Sequence, residues 1–295
     1  MRLYTLFLLA LLGMLYCGIA KAGSPVSYRI FDRNGTEVTF DELISGAGKS
    51  DILLFGEIHN CPITHWLELK VLESLNENKH PLTVGLEMIE RDVDQVLQEY
   101  LLGTISEERY LKEGKHWDNY ETDYAPLVDY AKENGIPVIG TNVPRRYADL
   151  VNRKGVEKLK ALPQSAQVLF VPLSKFEPES VGDANIFATM SMMKGKAHDP
   201  QHIANLQAAQ SLKDATMAWN IAGHLPPGGI LVHYHGRYHS DNGNGIPHYL
   251  KQFVQDAKIC TISALRQESM DKLDEAYVGI ADFIIVVPED MPTSY

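Results

Sequence analysis

Two short sequences share a spelling: Gly56-Glu57-Ile58-His59 and Gly236-Arg237-Tyr238-His239. Each places a histidine three residues after a glycine, directly behind an apolar run, DILLF at 51–55 and ILVHYH at 230–235. Short apolar runs bounded by such breaks read as buried strands. Two further runs, PLTVGL at 81–86 and IPVIG at 136–140, end on Glu87 and lead to Arg146. If the four strands are parallel, Glu57, His59, Glu87, Arg146 and His239 gather at the carboxyl edge of one sheet, where open α/β sheets bind ligands. Two chemistries suit that set. His59, oriented by Glu57 or Glu87, is a general base for hydrolysis. His59, Glu87 and His239 are also the ligand types of a two-histidine, one-carboxylate site for a divalent metal. Both need only neutral imidazole beside a carboxylate, so residue types leave the two open. The chain has no H-E-x-x-H helix, no G-x-S-x-G elbow and no phosphate loop, and Gly243-Asn244-Gly245 lacks the dinucleotide spacing.

The elements that must hold these residues alternate. A hairpin is expected at 28–31 and 37–40, turning at Asn34-Gly35. Strands are expected at 51–55, 81–86, 136–140, 167–172, 230–235, 258–264 and 281–287, with helices between them, the first opened by Pro62. That pattern predicts an α/β fold with a mostly parallel sheet flanked by helices. Two helical stretches, about 90–130 and 178–224, exceed plain crossovers and are expected to cap the carboxyl edge of the strands. One α/β domain over 23–295 is expected, because no Gly- or Ser-rich linker divides the chain. His233 and His235 alternate along their strand and read as core residues. His198 and His202, separated by Pro200, read as a solvated turn. Met190, Met192 and Met193 read as ordinary packing.

The N-terminus carries a charge at Arg2, an apolar run from Leu3 to Ile19 and Ala20-Lys21-Ala22 before Gly23. That reads as a signal peptide over 1–22, cleaved after Ala22. Tyr16 stands before Cys17 where a lipoprotein signal carries a small residue, so soluble export is preferred to a lipid anchor at Cys17. Losing Arg2 and Lys21 from the 27 basic residues leaves 25 against 38 acidic ones, a net charge of −13. Such a balance excludes nucleic acid as a partner. Cys61 and Cys260 remain, and their spacing does not decide whether they pair.

Five segments together resemble one family: GEIHNCPITH at 56–65, GLEM at 85–88, TNVPRR at 141–146, AAQSLKDATMAWNIA at 208–222 and GRYHSDNGNGIPHYL at 236–250. They are similar to the ChaN-type haem-binding uptake proteins, of the wider group that holds the Tiki proteases and erythromycin esterases. The resemblance implies an exported protein, periplasmic or associated with the outer membrane, that takes part in haem and iron acquisition. It implies a homodimer holding haem between two protomers, supplied through an outer-membrane haem receptor or transporter, with tyrosinate on the iron. A hard anionic oxygen favours ferric iron. Tyr120 and Tyr124, in the aromatic segment 115–124, and Tyr238 are the ligand candidates by composition. The related enzymes use the matching His and Glu positions for hydrolysis, with or without a divalent metal. That keeps an esterase or peptidase on Glu57, His59, Glu87 and His239 as the alternative.

Overall fold

The computed structural model describes residues 26–179 and 199–295. The signal peptide expected over 1–22, Cys17, Met190, Met192, Met193 and His198 lie outside those residues. Eight strands form one sheet in the order β2-β1-β8-β7-β3-β6-β4-β5. They are β1 (Arg29–Asp32), β2 (Glu37–Val38), β3 (Ile52–Glu57), β4 (Leu82–Glu90), β5 (Val138–Asn142), β6 (Ile230–Gly236), β7 (Ile259–Gln267) and β8 (Phe283–Pro288). The pairs from β8 to β5 are all parallel, and β1 alone runs the other way, pairing antiparallel with both β8 and β2 at one edge. The expected mostly parallel α/β architecture is the one observed.

Parallel strands between two helical layers must be apolar on both faces. In β3, Leu53 and Phe55 enter one core cluster while Ile52 and Leu54 enter the other. The helix after β3, α2 (Pro62–Glu77), packs Leu67, Val71, Leu72 and Leu75 into the first cluster. The helix after β6, α9 (Ile246–Phe253), packs Ile246, Tyr249 and Leu250 into the second. Adjacent strands whose following helices leave for opposite faces open a crevice between their ends. That crevice lies between β3 and β6, with Glu57 paired to Gly236 at its floor.

The other elements frame it. Along the chain these are α1 (Phe40–Ala47), α3 (Asp94–Leu101), α4 (Glu107–Glu113), α5 (Ala125–Glu133), α6 (Arg145–Lys154), α7 (Gln164–Gln167) and α8 (Pro200–Gly223). The expected helical stretch of about 90–130 is broken: its first helix stops at Leu102-Gly103, and Ser106 caps the next by accepting from the Arg109 amide. The strand expected at 167–172 does not exist. Pro163 opens α7 there, Val168 is exposed, and Phe170 and Val171 pack on the helical side of the second cluster. An apolar run that short, between two prolines, does not separate strand from turn. Pro200 sits in the first turn of α8 rather than breaking it, so His202 is buried on a helix and not in a solvated turn. Cys61 and Cys260 are both buried and unpaired. Among the described residues, no helix is long and apolar enough to cross a membrane.

Candidate functional site

The two G-x-x-H arms interlock. A Cβ on Gly56 would stand 2.8 Å from the Arg237 Cα, and one on Gly236 would stand 2.6 Å from the His59 Nε2. Each glycine is therefore the space that admits the other arm. With both arms seated, His59 and His239 occupy the two sides of the crevice and Glu57 and Glu87 lie beneath them. His59, Glu87 and His239 line a cavity of about 550 Å³, which also takes in Trp117, Asp214, Tyr238 and Tyr277, while Glu57 lies below it, bound to His59.

His239 is buried and clamped. Its Nε2 lies 3.1 Å from Glu87 Oε1, and its Nδ1 donates to Asp214 in a short contact. Glu87 also accepts from the Gly236 amide at 2.8 Å, which ties it to the β6 end. Burial alone would depress the imidazole, but Glu87 and Asp214 outweigh it and hold His239 up to about 10. Burial would also raise Glu87, yet the charge of His239 keeps it well below the usual carboxylate range. Burial leaves Asp214 raised despite the same histidine. Both nitrogens of His239 thus face carboxylates. Among the described residues, the donor atoms of the expected set His59, Glu87 and His239 do not come within 4.8 Å of one another as those of Glu57, His65 and Glu68 do.

His59 is different. Its side chain is 38% exposed, and its Nδ1 donates to Glu57 Oε1 at 2.5 Å. Glu57 also accepts from the Tyr124 hydroxyl at 2.7 Å. Burial opposes charge on Glu57, but the His59 hydrogen bond and the His65 charge bring it down to about 2. A carboxylate on Nδ1 leaves the Nε2 lone pair of neutral His59 facing the cavity. Trp117 meets the same ring edge-on, with centroids 5.0 Å apart. Burial lowers His59, and Glu57 more than restores it, leaving the ring raised.

Not every expected residue arrives. Arg146 turns outward to Asp92, which also holds Lys115 at 2.7 Å, and its other nitrogen reaches the Tyr147 hydroxyl. Its neighbour Arg145 lines the cavity instead. The helix begins at Arg145, and successive helical residues point about 100° apart, so only one of the pair can face the crevice. Of the three tyrosines, Tyr238 lines the cavity at its rim and is 65% exposed. Tyr120 is buried against Tyr110 and His116, outside the cavity lining. Tyr124 is fully buried beneath Glu57. Burial pushes both phenols far up. His233 and His235 are core residues as expected, their Nδ1 atoms 3.1 Å apart, and burial keeps His235 neutral down to about 4.

Asp214, Trp117, Tyr277 and Arg145 were not singled out by sequence. For Asp214 a signal existed. Gln207, Gln210 and Asp214 recur at helical spacing on α8 as one polar stripe, and all three line the cavity.

A parallel sheet with a crevice at its switch point defines the class of open α/β domains that bind ligands at the carboxyl ends of their strands. Within it, this chain belongs to the haem-binding uptake family of the Tiki superfamily, ChaN, whose description matches residues 43–250. The fold is that of ChaN of Campylobacter jejuni with cofacial haem, at 17% identity and a TM-score of 0.66, covering 88% of this chain and 97% of that one. An erythromycin esterase in its open conformation is similar at 11% identity and a TM-score of 0.45, over 89% of this chain and 83% of that one. Protein RETICULATA-RELATED 5 of Arabidopsis thaliana is 24% identical over 254 residues, which are 79% of this chain. The chain spans about a third of that curated relative's length.

Proposed function

We propose that this chain is an exported haem-binding protein of iron acquisition, holding haem at the mouth of the crevice with Tyr238 as the iron ligand. The observation that carries the reading is the rim position of Tyr238 on a cavity of about 550 Å³, a volume typical of ligand pockets. The lining suits the group. Trp117 and Tyr277 offer flat aromatic faces, Val143 and Ile280 apolar contact, and Arg145 and Lys213 cations for carboxylates such as haem propionates. Bound ferric haem would supply a Lewis-acidic iron that deprotonates the phenol it meets. What the chain supplies is an oxygen at the rim and a floor of charged groups already paired with one another.

An exposed ligand on a single wall leaves the far face of the haem uncovered. A second copy of the chain would cover it, which is why a homodimer around haem, fed by an outer-membrane receptor or transporter, belongs to the same reading. Periplasmic location follows from the signal over 1–22 and is part of the proposal. The test is a hemin titration of the chain from Gly23 onward. A saturable Soret change is expected in wild type, Tyr120→Phe and Tyr124→Phe. In Tyr238→Phe the tyrosinate charge-transfer band should vanish and affinity fall by at least about tenfold. A wild type with no saturable Soret change would overturn the proposal.

A second reading has its own observation. His59 presents Nε2 to the cavity with Nδ1 on Glu57, the arrangement of a positioned general base, and the His239 imidazolium lies across from it as an electrophilic partner. A screen of esters and peptides with His59→Ala as control tests it. Equal inactivity of the two proteins would remove the hydrolase.

A further inference from the structure

Below His59 lies a second cluster that the cavity does not reach. His65 and Glu68, one turn apart on α2, come up under Glu57. One donor atom from each of the three lies within 4.8 Å of the other two. All are buried, Glu57 at 1%, Glu68 at 0% and His65 at 5% exposure.

The acids of this cluster are left short of partners. His65 Nε2 stands 3.1 Å from the His59 carbonyl oxygen and 3.4 Å from Asp123 Oδ2. Both are acceptors toward it, so Nε2 carries a hydrogen and Nδ1 is the nitrogen turned toward the other two acids. Nδ1 faces Glu68 Oε2 at 2.9 Å and Glu57 Oε2 at 3.6 Å. Among the described residues, Glu57 Oε2 and Glu68 Oε1 make no hydrogen bond at all. A single proton on Glu68 can serve one neighbour only. Asp123, 5% exposed, adds a third carboxylate, and the hydrogen-bond and ion-pair partners described for the three acids include no lysine or arginine. Orphaned oxygens of buried acids cost several kcal/mol in such surroundings.

We infer that Glu57, His65 and Glu68 bind a divalent first-row cation such as zinc or manganese. Two carboxylate oxygens and one imidazole nitrogen are its usual donors. A carbonyl and a carboxylate on the far nitrogen of the histidine are the outer contacts that fix a metal-binding tautomer. The site is distinct from the set of His59, Glu87 and His239, and it does not depend on the haem reading. Because it is closed over by α2 and the 115–124 segment, the cation enters as the chain folds.

The experiment compares the wild type, Glu68→Gln and His239→Ala, each folded with Zn²⁺ or Mn²⁺ and then desalted. Metal analysis is expected to find about one equivalent in wild type and in His239→Ala, and at least about tenfold less in Glu68→Gln. Added Zn²⁺ should raise the melting temperature of wild type and leave that of Glu68→Gln unchanged. Hemin spectra of wild type and Glu68→Gln should coincide, which separates this site from the haem pocket. Should Glu68→Gln not fold, Co²⁺ bound to wild type reads the same site through the intensity of its ligand-field bands. The inference is overturned if wild type holds no metal and gains no melting temperature from Zn²⁺ or Mn²⁺. It is equally overturned if Glu68→Gln retains as much metal as wild type. A metal-free wild type no more stable than Glu68→Gln would mean that a shared proton joins Glu57 and Glu68 instead.

Discussion

The two G-x-x-H arms are spelled alike and end differently. His59 stands in the loop after β3, partly exposed, with one carboxylate behind it. His239 closes a short helical turn after β6, buried, with a carboxylate on each nitrogen. The difference comes from what lies opposite. α8 brings Asp214 down onto His239, whereas the segment around Trp117 offers His59 only an aromatic edge. One arm thus carries a fixed positive charge, and the other a free nitrogen aimed into the cavity. A motif repeated in sequence makes two complementary halves of a site rather than two copies.

The strongest way to break that contrast is to remove the buried cation. His239→Ala strands Glu87 and Asp214 in the interior, and about 3–5 kcal/mol of stability should disappear, read from urea unfolding. If the loss is under about 1 kcal/mol, the clamp around His239 is not what holds that side of the crevice.

The glycines come next, because each makes room for the opposite arm. Gly56→Ala pushes a methyl group into the backbone of Arg237, which cannot yield cheaply, and about 1–3 kcal/mol should be lost. Gly236→Ala meets only the tip of the His59 ring. It should cost less than about 1 kcal/mol while displacing His59, so any His59-dependent activity falls in a protein that melts near wild type. Equal stability losses for the two variants would refute the interlock.

A pH series sharpens the same comparison. His239 is held up to about 10 in the fold, above its ordinary 6.5. Its contribution is complete below pH 6.5 and is lost as pH rises through 10. His235 runs the other way: buried neutral at about 4, it contributes above 6.5 and that contribution is lost as pH falls toward 4. Urea midpoints from pH 6.5 to 10 should therefore decline in wild type, with that part of the slope absent from His239→Ala. The smallest effect belongs to His59→Ala. The ring is partly solvated and Glu57 keeps Tyr124, so stability should change by less than about 1 kcal/mol.

Much of this could be read from the chain itself. Strands that run apolar into Gly-Glu, Leu-Glu and Gly-Arg announced a parallel sheet with ionisable ends, and Glu57, His59, Glu87 and His239 do converge. Arg146 failed because adjacent helical residues face different ways, and a one-residue choice between Arg145 and Arg146 is not visible without the helix start. Tyr120, Tyr124 and Tyr238 are alike by composition, but the turn that carries the first two packs inward, and of the three only Tyr238 stands at the rim. The partners of the site were hidden for a common reason. Asp214 reaches His239 across 25 positions of chain, and Tyr124 reaches Glu57 across 67.

Periodicity and strand-end chemistry, which are local, determined the sheet, its polarity and the edge at which chemistry gathers. Whether a histidine is a cation or a base, whether a tyrosine is a rim ligand or a buried prop, and which acids lack a counter-charge were decided only by the folded chain. Those properties depend on burial and on charges brought within a few ångströms from distant segments, and nothing in residue order measures either.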